Sequence, residues 1–424
     1  MQKIRGTRDI LYDELKYWRL IINKAKRIFE QAKYLEIYTP IIENTDLFTK
    51  SIGEETDIIS KEMYSFQDQS SRNITLRPEG TASVVRALIE NKLDTLNPIN
   101  RVWYCGPMFR YERPQTGRQR QFYQLGLECF GSNNPRADAE VIYLAVKLLK
   151  QLSCKSLILE INSIGTSLSR FKYQEKLKNY LLHYVSDLDN DSIKRLYTNP
   201  LRILDSKDIN TQKILLDAPR LYSFLDLRAK KHFEKVCKYL NLLQIPYLIN
   251  NNLVRGLDYY NNTAFEIKTD IINPKLQNTI CGGGRYDNLV YQLGGNKVPA
   301  VGCAIGMERL YSLLQDTISF CTSSIDIYIA SQGNNANKYS LFVMQLLQAR
   351  QFTVTLDLSS KSFKKQLKKA HKGHASVCFI IGEKEMLSRT ITVKWLQSGI
   401  QEIFKQESLQ FYTQYLKNKI NNDI

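Results

Sequence analysis

Features typical of membrane, secreted and zinc-binding proteins are missing from this sequence. Its 424 residues contain no apolar run near the roughly 18 residues that a membrane-spanning helix needs. The first residues, MQKIRGTRDILYDEL, lack an apolar segment and carry acidic residues early, unlike a signal or transit peptide, so we expect the mature chain to start here. The eight cysteines include no C-x-x-C pair, and only four histidines are present. We therefore expect no membrane contact, no protein zinc ligands, and reduced thiols in a cytosol-like compartment.

Acidic residues are in the minority. The chain has 59 Lys and Arg against 42 Asp and Glu, a net charge of +17, which favours a polyanionic partner such as nucleic acid. A hydrophobic content of 43% is ordinary for a globular protein, and the length suits two or three domains. The abundance of Tyr, Lys, Ile and Asn indicates AT-rich coding, as in some bacteria and organelle genomes.

The hydrophobic pattern changes along the first three quarters of the chain. Residues 14–34 repeat apolar side chains every three or four positions, which predicts an amphipathic helix, and Pro40 then places an extended segment at an edge. From 73 to 162, strand-like runs joined by short loops predict an antiparallel sheet. Residues 165–245 are helical in character, which predicts an inserted helical subdomain before strand-like segments return at 246–306.

Beyond residue 324, strand and helix patterns alternate, which predicts a separate small α/β domain. This part holds 14 Lys and Arg against 7 Asp and Glu. The basic side chains of its second helix surround a buried stripe and are either a solvated face or an RNA-backbone contact, the interpretation we favour: Lys361, Lys364, Lys365, Lys368, Lys369 and Lys372.

The stretch FRYERPQTGRQRQF, residues 109–122, concentrates arginines in one loop. Guanidinium groups match phosphate and carboxylate oxygens in two-point contacts, so the loop suits an oxyanion-rich ligand. In the strand that follows, period-two alternation places four residues on one face, where they offer a stacking plane, close approach to the backbone and polar specificity: Phe122, Gln124, Gly126 and Glu128.

Four further segments fit the same site. TLRPEGTA (75–82) offers Glu79 and Thr81, and LVRGLDYYNNTAFEI (253–267) offers Arg255, Tyr259 and Tyr260. CGGGRYDNL (281–289) is a glycine-rich turn. AVGCAIGMERL (300–310) runs from a strand into a helix carrying Arg309, and its Gly302 and Gly306 are expected to leave a flat surface for a nucleotide. Neither a Walker loop nor a dinucleotide fingerprint is present among these segments.

Together these motifs resemble the histidyl-tRNA synthetase family of class II aminoacyl-tRNA synthetases. The segment ending in Pro40, the FRYER…RQF hairpin and GCAIGMERL are similar to the three class II signature motifs, and LVRGLDYYNNTAFEI and CGGGRYDNL to two segments peculiar to this family. The resemblance implies an α+β fold: an antiparallel-sheet catalytic domain at 1–320 with the helical insertion at about 165–245, and an α/β anticodon-binding domain at 324–424. It also implies a homodimer.

The resemblance further implies that the protein activates L-histidine with ATP and Mg²⁺ to histidyl-adenylate, releasing pyrophosphate, and transfers histidine to tRNA(His). Arg110 and Arg255 would be catalytic, because attack of a carboxylate on the α-phosphate brings two anions together. The residues implied for histidine binding are Glu79, Gly80, Thr81, Arg110, Gln124, Glu128, Arg255, Tyr259 and Tyr260. Those implied for ATP are Arg110, Phe122 and Arg309, and those implied for the tRNA acceptor end are Arg113 and Gln115.

Two other functions fit part of this pattern. The regulatory subunit of ATP phosphoribosyltransferase resembles the same core but only binds histidine, although the arginine-rich loop and the C-terminal domain favour the enzyme. A general RNA-binding protein would not need the histidine-type pocket. The expected compartment is a bacteria-like cytoplasm or the stroma of a plastid or other organelle.

Overall fold

Two compact units, Met1–Ser319 and Phe320–Ile424, make up the chain. The computed structural model describes residues 1–53, 56–114, 118–269, 278–320, 325–359 and 361–422, with side chains described as far as residue 420. Within these ranges no helix is both long and apolar enough to cross a membrane.

The first unit contains eleven strands and eleven helices in its described ranges. Its strands are β1 (Leu35–Glu36), β2 (Ile42–Asn44), β3 (Tyr64–Gln67), β4 (Asn73–Leu76), β5 (Asn100–Phe109), β6 (Gln121–Phe130), β7 (Leu157–Ser163), β8 (Leu248–Ile249), β9 (Asn261–Thr269), β10 (Thr279–Arg285) and β11 (Ala300–Gly306). Its helices are α1 (Tyr12–Gln31), α2 (Thr45–Ile52), α3 (Thr81–Glu90), α4 (Leu93–Leu96), α5 (Pro135–Gln151), α6 (Ser167–Leu182), α7 (Asn190–Thr198), α8 (Ile209–Leu216), α9 (Leu227–Leu242), α10 (Leu289–Gln292) and α11 (Met307–Leu314). A π-helical turn covers Ile58–Glu62, and 3-10 turns cover Val185–Asp187, Pro200–Asp205 and Leu221–Phe224.

An eight-stranded sheet forms the centre of this unit, in the order β1-β5-β6-β11-β10-β9-β7-β8. All pairs are antiparallel except the two outermost, β1 with β5 and β7 with β8. The segment before Pro40 thus lies at the sheet edge, as the sequence predicted. Its carbonyl groups at Thr39 and Pro40 accept from the Arg77 guanidinium, at 2.9 and 3.5 Å, and this contact ties the edge to the end of β4.

The two faces of the sheet pack in different ways. On the back face, Leu125, Leu127 and Cys129 of β6 join a core built with α1, α5, α9 and α11. On the front face, residues of β5, β6, β9 and β11 pack with α3, α6, α7 and α8. Because successive side chains of a strand point to opposite faces, Phe122, Gln124 and Glu128 lie on the front, as predicted.

The helical stretch expected as one insertion divides into two parts. Helices α6, α7 and α8 bury their apolar side chains on the front side of the sheet. Helix α9 instead places Phe233, Val236 and Leu240 in the back core, against α5. Helix α9, which begins at Leu227, therefore packs in the back layer.

A buried ion cluster joins β10 to the back layer. The Arg285 side chain is 1% exposed and binds Asp138 of α5 in two contacts, at 3.1 and 2.5 Å. His232 of α9 lies 3.3 Å from the same carboxylate, and Asp287 accepts from Arg285 at 3.0 Å. Burial raises the pKa of Asp138, but the Arg285 charge and the His232 contact outweigh it and hold that pKa below its usual range.

The second unit is an α/β domain. Its strands are β12 (Ile325–Ser331), β13 (Val354–Leu356), β14 (Ala375–Ile381), β15 (Thr390–Trp395) and β16 (Gln401–Lys405), and its helices are α12 (Asn334–Ala349), α13 (Phe363–Lys372), α14 (Glu383–Ser388) and α15 (Leu409–Asn422), with a 3-10 turn at Gln406–Ser408. The sheet order is β13-β12-β14-β15-β16, parallel for the first three strands and antiparallel for the rest.

Candidate active site

The carboxylate of Glu128 lies at the centre of the front face. Thr81 at the start of α3 donates its hydroxyl to Glu128 Oε1 at 2.9 Å, and the Tyr104 hydroxyl donates to the same oxygen at 3.4 Å. The Tyr286 hydroxyl donates to Oε2. Glu128 is 1% exposed, and its burial raises the pKa of the carboxyl to about 8, against the lowering effect of these donors.

This network leaves Glu128 able to accept one more hydrogen bond. A carboxylate offers about four lone-pair positions, and three hydroxyl donors occupy three of them. When the carboxyl is ionised, the fourth can accept a ligand N–H, so the site can recognise a hydrogen-bond donor on a bound ligand. A ligand that lacked this donor would leave buried acceptor capacity unused.

Glu79 fixes the start of α3 beside that network. Its carboxylate accepts the backbone N–H groups of Thr81 and Ala82, each at 2.7 Å. These are amides that the first turn of a helix leaves without partners, so Glu79 caps the helix. Burial raises the pKa of Glu79, opposed by the two backbone donors, by the Thr81 side chain and by the Arg110 charge.

Three tyrosines form a wall next to Glu128. The ring centroids of Tyr259 and Tyr260 are 4.7 Å apart, and Tyr286 lies 5.6 Å from the first and 6.3 Å from the second. All three side chains are buried. The Arg255 guanidinium carbon is 5.3 Å from the Tyr260 ring centroid, so a cation borders the aromatic wall.

Arg255 is oriented by β9. Its NH1 donates to Glu266 Oε1 at 2.6 Å, and the space above Gly282 admits the guanidinium, since a Cβ there would lie 2.5 Å from NH2. Burial acts to lower the pKa of Arg255, but Tyr260 and Glu266 raise it above its ordinary value, so the group stays charged. Its buried Nε has no hydrogen-bond partner in the described part of the chain.

Arg309, on α11, contacts Thr279 at the start of β10, which is itself bonded to Glu266. Its NH1 donates to the Thr279 carbonyl at 2.7 Å, and the Thr279 hydroxyl donates to Glu266 at 3.0 Å. Burial, followed by the nearby charge of Arg118, lowers the pKa of Arg309. Arg118, Arg255 and Arg309 therefore lie near one another at this end of the front face, an arrangement that suits a polyanionic ligand.

Arg110 and Phe122 complete this end of the site. Arg110 Nε donates to the Pro78 carbonyl at 2.9 Å, and its guanidinium carbon lies 5.3 Å from the Phe122 ring centroid. The charge of Arg110 also acts on Glu79 and Arg309. Arg110 thus stands between the predicted amino-acid and nucleotide ends.

Only part of the arginine-rich loop is described. Arg113 is exposed to solvent, and Gln115 lies outside the described residues. At the base of the loop, Arg118 pairs with Glu112 at 3.2 Å, and the Arg120 guanidinium lies 3.7 Å from the Tyr111 ring centroid. Within the described ranges, no group of three or more His, Cys, Asp or Glu side chains is arranged to hold a metal ion.

Two family models match the chain. The model described as histidyl-tRNA synthetase matches residues 6–310, and the model described as anticodon binding domain matches residues 326–414. The chain belongs to the histidyl-tRNA synthetase family. This confirms the family predicted from the sequence motifs.

Full-length relatives agree with that membership. The chloroplastic histidine–tRNA ligase of Pyropia yezoensis is 56% identical over 99% of this chain and 97% of its own length, and the histidine–tRNA ligase of Acaryochloris marina is 50% identical over the same shares. The crystal structure of apo histidyl-tRNA synthetase from S. aureus superimposes with a TM-score of 0.78 at 36% identity, covering 97% of this chain and 99% of that one. The predicted α+β class II fold with a separate C-terminal domain is confirmed.

Two glycine interpretations from the sequence are wrong for this histidyl-tRNA synthetase family member. Gly126 was expected to let a ligand approach the backbone, but a Cβ there would lie 2.1 Å from Tyr104 Cζ, so the Tyr104 ring fills that space. Gly302 was expected to leave a flat surface for a nucleotide, but a Cβ there would lie 1.5 Å from Glu128 Oε2. Gly80 faces the same ring, with a Cβ position 2.3 Å from Tyr104 Cε2. These glycines make room for the protein's own side chains.

Sequence reasoning missed three polar partners in the site. Tyr104 and Tyr286 hold Glu128, and Glu266 holds Arg255. Tyr286 stood within the quoted CGGGRYDNL segment, and Glu266 within LVRGLDYYNNTAFEI, both near residues that were singled out. The period-two pattern of β5 could have placed Tyr104 on the front face, but not opposite Gly126.

Proposed function

We propose that this protein is a histidine–tRNA ligase, which couples L-histidine to tRNA(His) through histidyl-adenylate. The observation that carries the proposal is the buried Glu128 acceptor standing on one sheet face with the guanidinium groups of Arg110, Arg255 and Arg309. Its full-length relatives at 50 and 56% identity are named histidine–tRNA ligases. The site offers one end to a ring N–H and the other to phosphates.

Histidine selection is assigned to the network around Glu128. Its remaining acceptor position receives one ring N–H, and the Tyr260 hydroxyl partners the other ring nitrogen. Glu79, Thr81 and Gln124 receive the α-ammonium group; Gln124 Oε1 is buried without a hydrogen-bond partner in the described chain, so it has unused acceptor capacity. Gly80 and Tyr259 line this end. A wrong amino acid would leave these polar groups unpaired, which supports strong rejection.

Adenylate formation is assigned to electrostatics. Arg110 lies between the substrate carboxylate and the α-phosphate, and Arg255 offsets the negative charge that develops when the carboxylate oxygen attacks phosphorus and pyrophosphate leaves. Fixed cations lower such a barrier because they need no reorganisation during the reaction. The Phe122 ring stacks on adenine, and Arg309 holds the ATP tail. Mg²⁺ enters as part of the Mg·ATP substrate, mainly coordinated by phosphate oxygens and water.

Transfer to tRNA is assigned to surfaces outside this pocket. Arg113 and Gln115 contact the acceptor end, including the extra guanosine that histidine tRNAs of bacterial type carry. The anticodon contacts the domain beyond residue 324, where the lysines of α13, with Lys361 just before it, lie against the backbone phosphates. This surface surrounds a buried side that includes Gln366 and Ala370. Its relatives include a chloroplastic ligase and a cyanobacterial one, so the compartment is a plastid stroma or a bacteria-like cytoplasm.

The protein is proposed to act as a homodimer through the edge segment around β1. Its large apolar side chains Leu35 and Tyr38 are 69% and 78% exposed, and Ile41 and Ile42 are also exposed. An apolar surface of this kind is typical of an interaction site. Light scattering coupled to gel filtration measures the assembly, and a mass near twice 49.2 kDa is expected.

Histidine-dependent exchange between ATP and pyrophosphate tests the proposed reaction. The purified protein with Mg·ATP and histidine should exchange labelled pyrophosphate, and adding tRNA(His) should yield charged tRNA. The alternative, a histidine-binding regulatory subunit of ATP phosphoribosyltransferase, predicts histidine binding with neither activity. The full-length ligase relatives and the C-terminal domain match do not favour it.

A further inference from the structure

Glu308, in the first turn of α11, replaces a missing strand partner. Its carboxylate oxygens accept the backbone N–H of Tyr123 at 3.0 and 3.1 Å. Strand β11 ends at Gly306, which pairs with Gln124 of β6, and the chain then turns into the helix. The next position on β6, Tyr123, therefore finds a side-chain acceptor where the strand no longer supplies one. Glu308 is 8% exposed.

This contact connects the two elements that carry the proposed ATP ligands. Tyr123 directly follows Phe122 on β6, and Glu308 directly precedes Arg309 on α11. Phe122 and Arg309 are each one residue away from a partner in this hydrogen bond. The Glu308 contact therefore sets the spacing between the Phe122 ring, proposed to stack on adenine, and the Arg309 guanidinium, proposed to hold the ATP tail. A charged acceptor gives a stronger hydrogen bond than a neutral one.

The N-terminal segment around Gly6 also hydrogen-bonds to the start of β6. The Gly6 carbonyl accepts the backbone N–H of Arg120 at 2.7 Å and that of Gln121 at 3.4 Å. Gly6 has φ +89°, and a Cβ there would lie 2.7 Å from Arg120 Cγ, so only glycine suits this close approach. The segment thus holds the start of β6, immediately before Phe122.

A chain of contacts joins this segment to Glu308. Arg8 binds Glu14 in two hydrogen bonds, at 2.6 and 2.5 Å, and Trp18 Nε1 donates to the same carboxylate at 2.9 Å. The Trp18 ring packs edge-on against Tyr123, with centroids 4.8 Å apart. Burial raises the pKa of Glu308 to about 7, opposed by the Tyr123 N–H and by the Arg8 charge.

We propose that Glu308 is a positioning residue for the nucleotide: it holds Phe122 and Arg309 at the spacing that ATP requires, and residues 6–18 brace that contact. The inference rests on the proposed ligase function, because it names how the ATP end of that site is set. Glu308 acts through its neighbours and touches neither substrate.

Two conservative variants of Glu308 separate the effect of side-chain length from the effect of charge. Glu308→Asp keeps the charge but is one methylene shorter and withdraws the acceptor from the Tyr123 N–H. Glu308→Gln keeps the length and one acceptor oxygen. In histidine-dependent pyrophosphate exchange by the full-length protein, the Asp variant should raise the KM for ATP by about tenfold, the typical effect of losing a charge-assisted hydrogen bond, with the KM for histidine nearly unchanged. The Gln variant, which still reaches the Tyr123 N–H, should retain most of the ATP affinity.

The controls distinguish the possible failures. Glu140→Gln removes a carboxylate of similar kind that binds Arg101 at 3.2 Å, away from the site residues, and should change neither KM. Partial unfolding of the Asp variant lowers kcat per mole of chain but leaves both KM values unchanged. An inactive wild-type protein would reject the proposed function. An active wild type with an unchanged KM for ATP in Glu308→Asp, or with equal rises in both KM values, would reject the positioning role.

Discussion

Arg255 NH1 and Glu266 Oε1 are 2.6 Å apart, so the cation expected to act on the α-phosphate is already oriented by a carboxylate of the neighbouring strand. A guanidinium held in place before substrate binds loses little freedom when the reaction begins. The same carboxylate accepts the Thr279 hydroxyl, whose residue supplies its carbonyl to Arg309. The two guanidinium groups are thus connected through β9 and β10.

Removing either central cation should abolish most adenylate formation. We expect Arg110→Ala and Arg255→Ala each to lower histidine-dependent pyrophosphate exchange by about 100-fold or more, because each removes charge that stabilises the transition state. Circular dichroism should show a folded protein in both cases. Arg72→Ala, which loses only a surface pair with Asp68, is the matched control and should exchange normally. Wild-type rates in either site variant would refute these roles.

Changing the ring-recognition residues should affect histidine more than ATP. Glu128→Gln and Tyr260→Phe should each raise the KM for histidine by a larger factor than the KM for ATP, since they address the ring and not the nucleotide. Steady-state exchange kinetics measure both values. A larger loss of ATP affinity in both variants would mean that the pocket has been assigned in the wrong orientation.

The raised pKa of Glu128 gives a pH dependence of stability. In the fold this carboxyl titrates at about 8, against an ordinary value of 4.5, so the folded state binds the proton more tightly. The free energy of unfolding of the wild type should therefore fall, relative to Glu128→Gln, as pH rises from about 4.5 to about 8, and level off above. Denaturant titrations of both proteins across this range measure the difference. A difference that did not change with pH would contradict the buried-acid assignment.

Arg285 should be required for stability and not for chemistry. Arg285→Met leaves the buried Asp138 charge without its main partner, which typically costs about 3–5 kcal/mol of unfolding free energy. The double variant Arg285→Met with Asp138→Asn should recover part of that loss, because no unpaired charge remains. Urea denaturation of the wild type, Arg285→Met, Asp138→Asn and the double variant provides the comparison, and additive losses would show that the pair is not coupled.

The acceptor-loop residues should separate the two chemical steps. Arg113→Ala with Gln115→Ala should leave pyrophosphate exchange near the wild-type rate and strongly reduce transfer of histidine to tRNA. Charging by the unaltered protein should also weaken with added salt, because backbone contacts release counterions. Equal loss in exchange and transfer would indicate a folding defect in the loop.

Local patterns predicted the parts of the site that lie on one element. Alternation along β6 is a property of the strand itself, so Phe122 and Glu128 could be assigned to one face from the sequence. The partners of Glu128 could not, because Tyr104 and Tyr286 reach it through strand order and register, which a single sequence does not encode locally. The division of the helical stretch into a front part and a back part could not be predicted for the same reason. Helix α9 has the same periodicity as α6 but packs on the other side of the sheet.

The Tyr104 ring lies between the backbones of Gly80 and Gly126, with no room for a methyl group at either position. These three positions therefore form one interdependent unit for protein engineering. A library that randomised either glycine alone would return damaged pockets, whereas one that also varied Tyr104 toward smaller side chains would open a new volume beside Glu128. Re-targeting the enzyme to bulkier histidine analogues should begin with the three codons changed jointly.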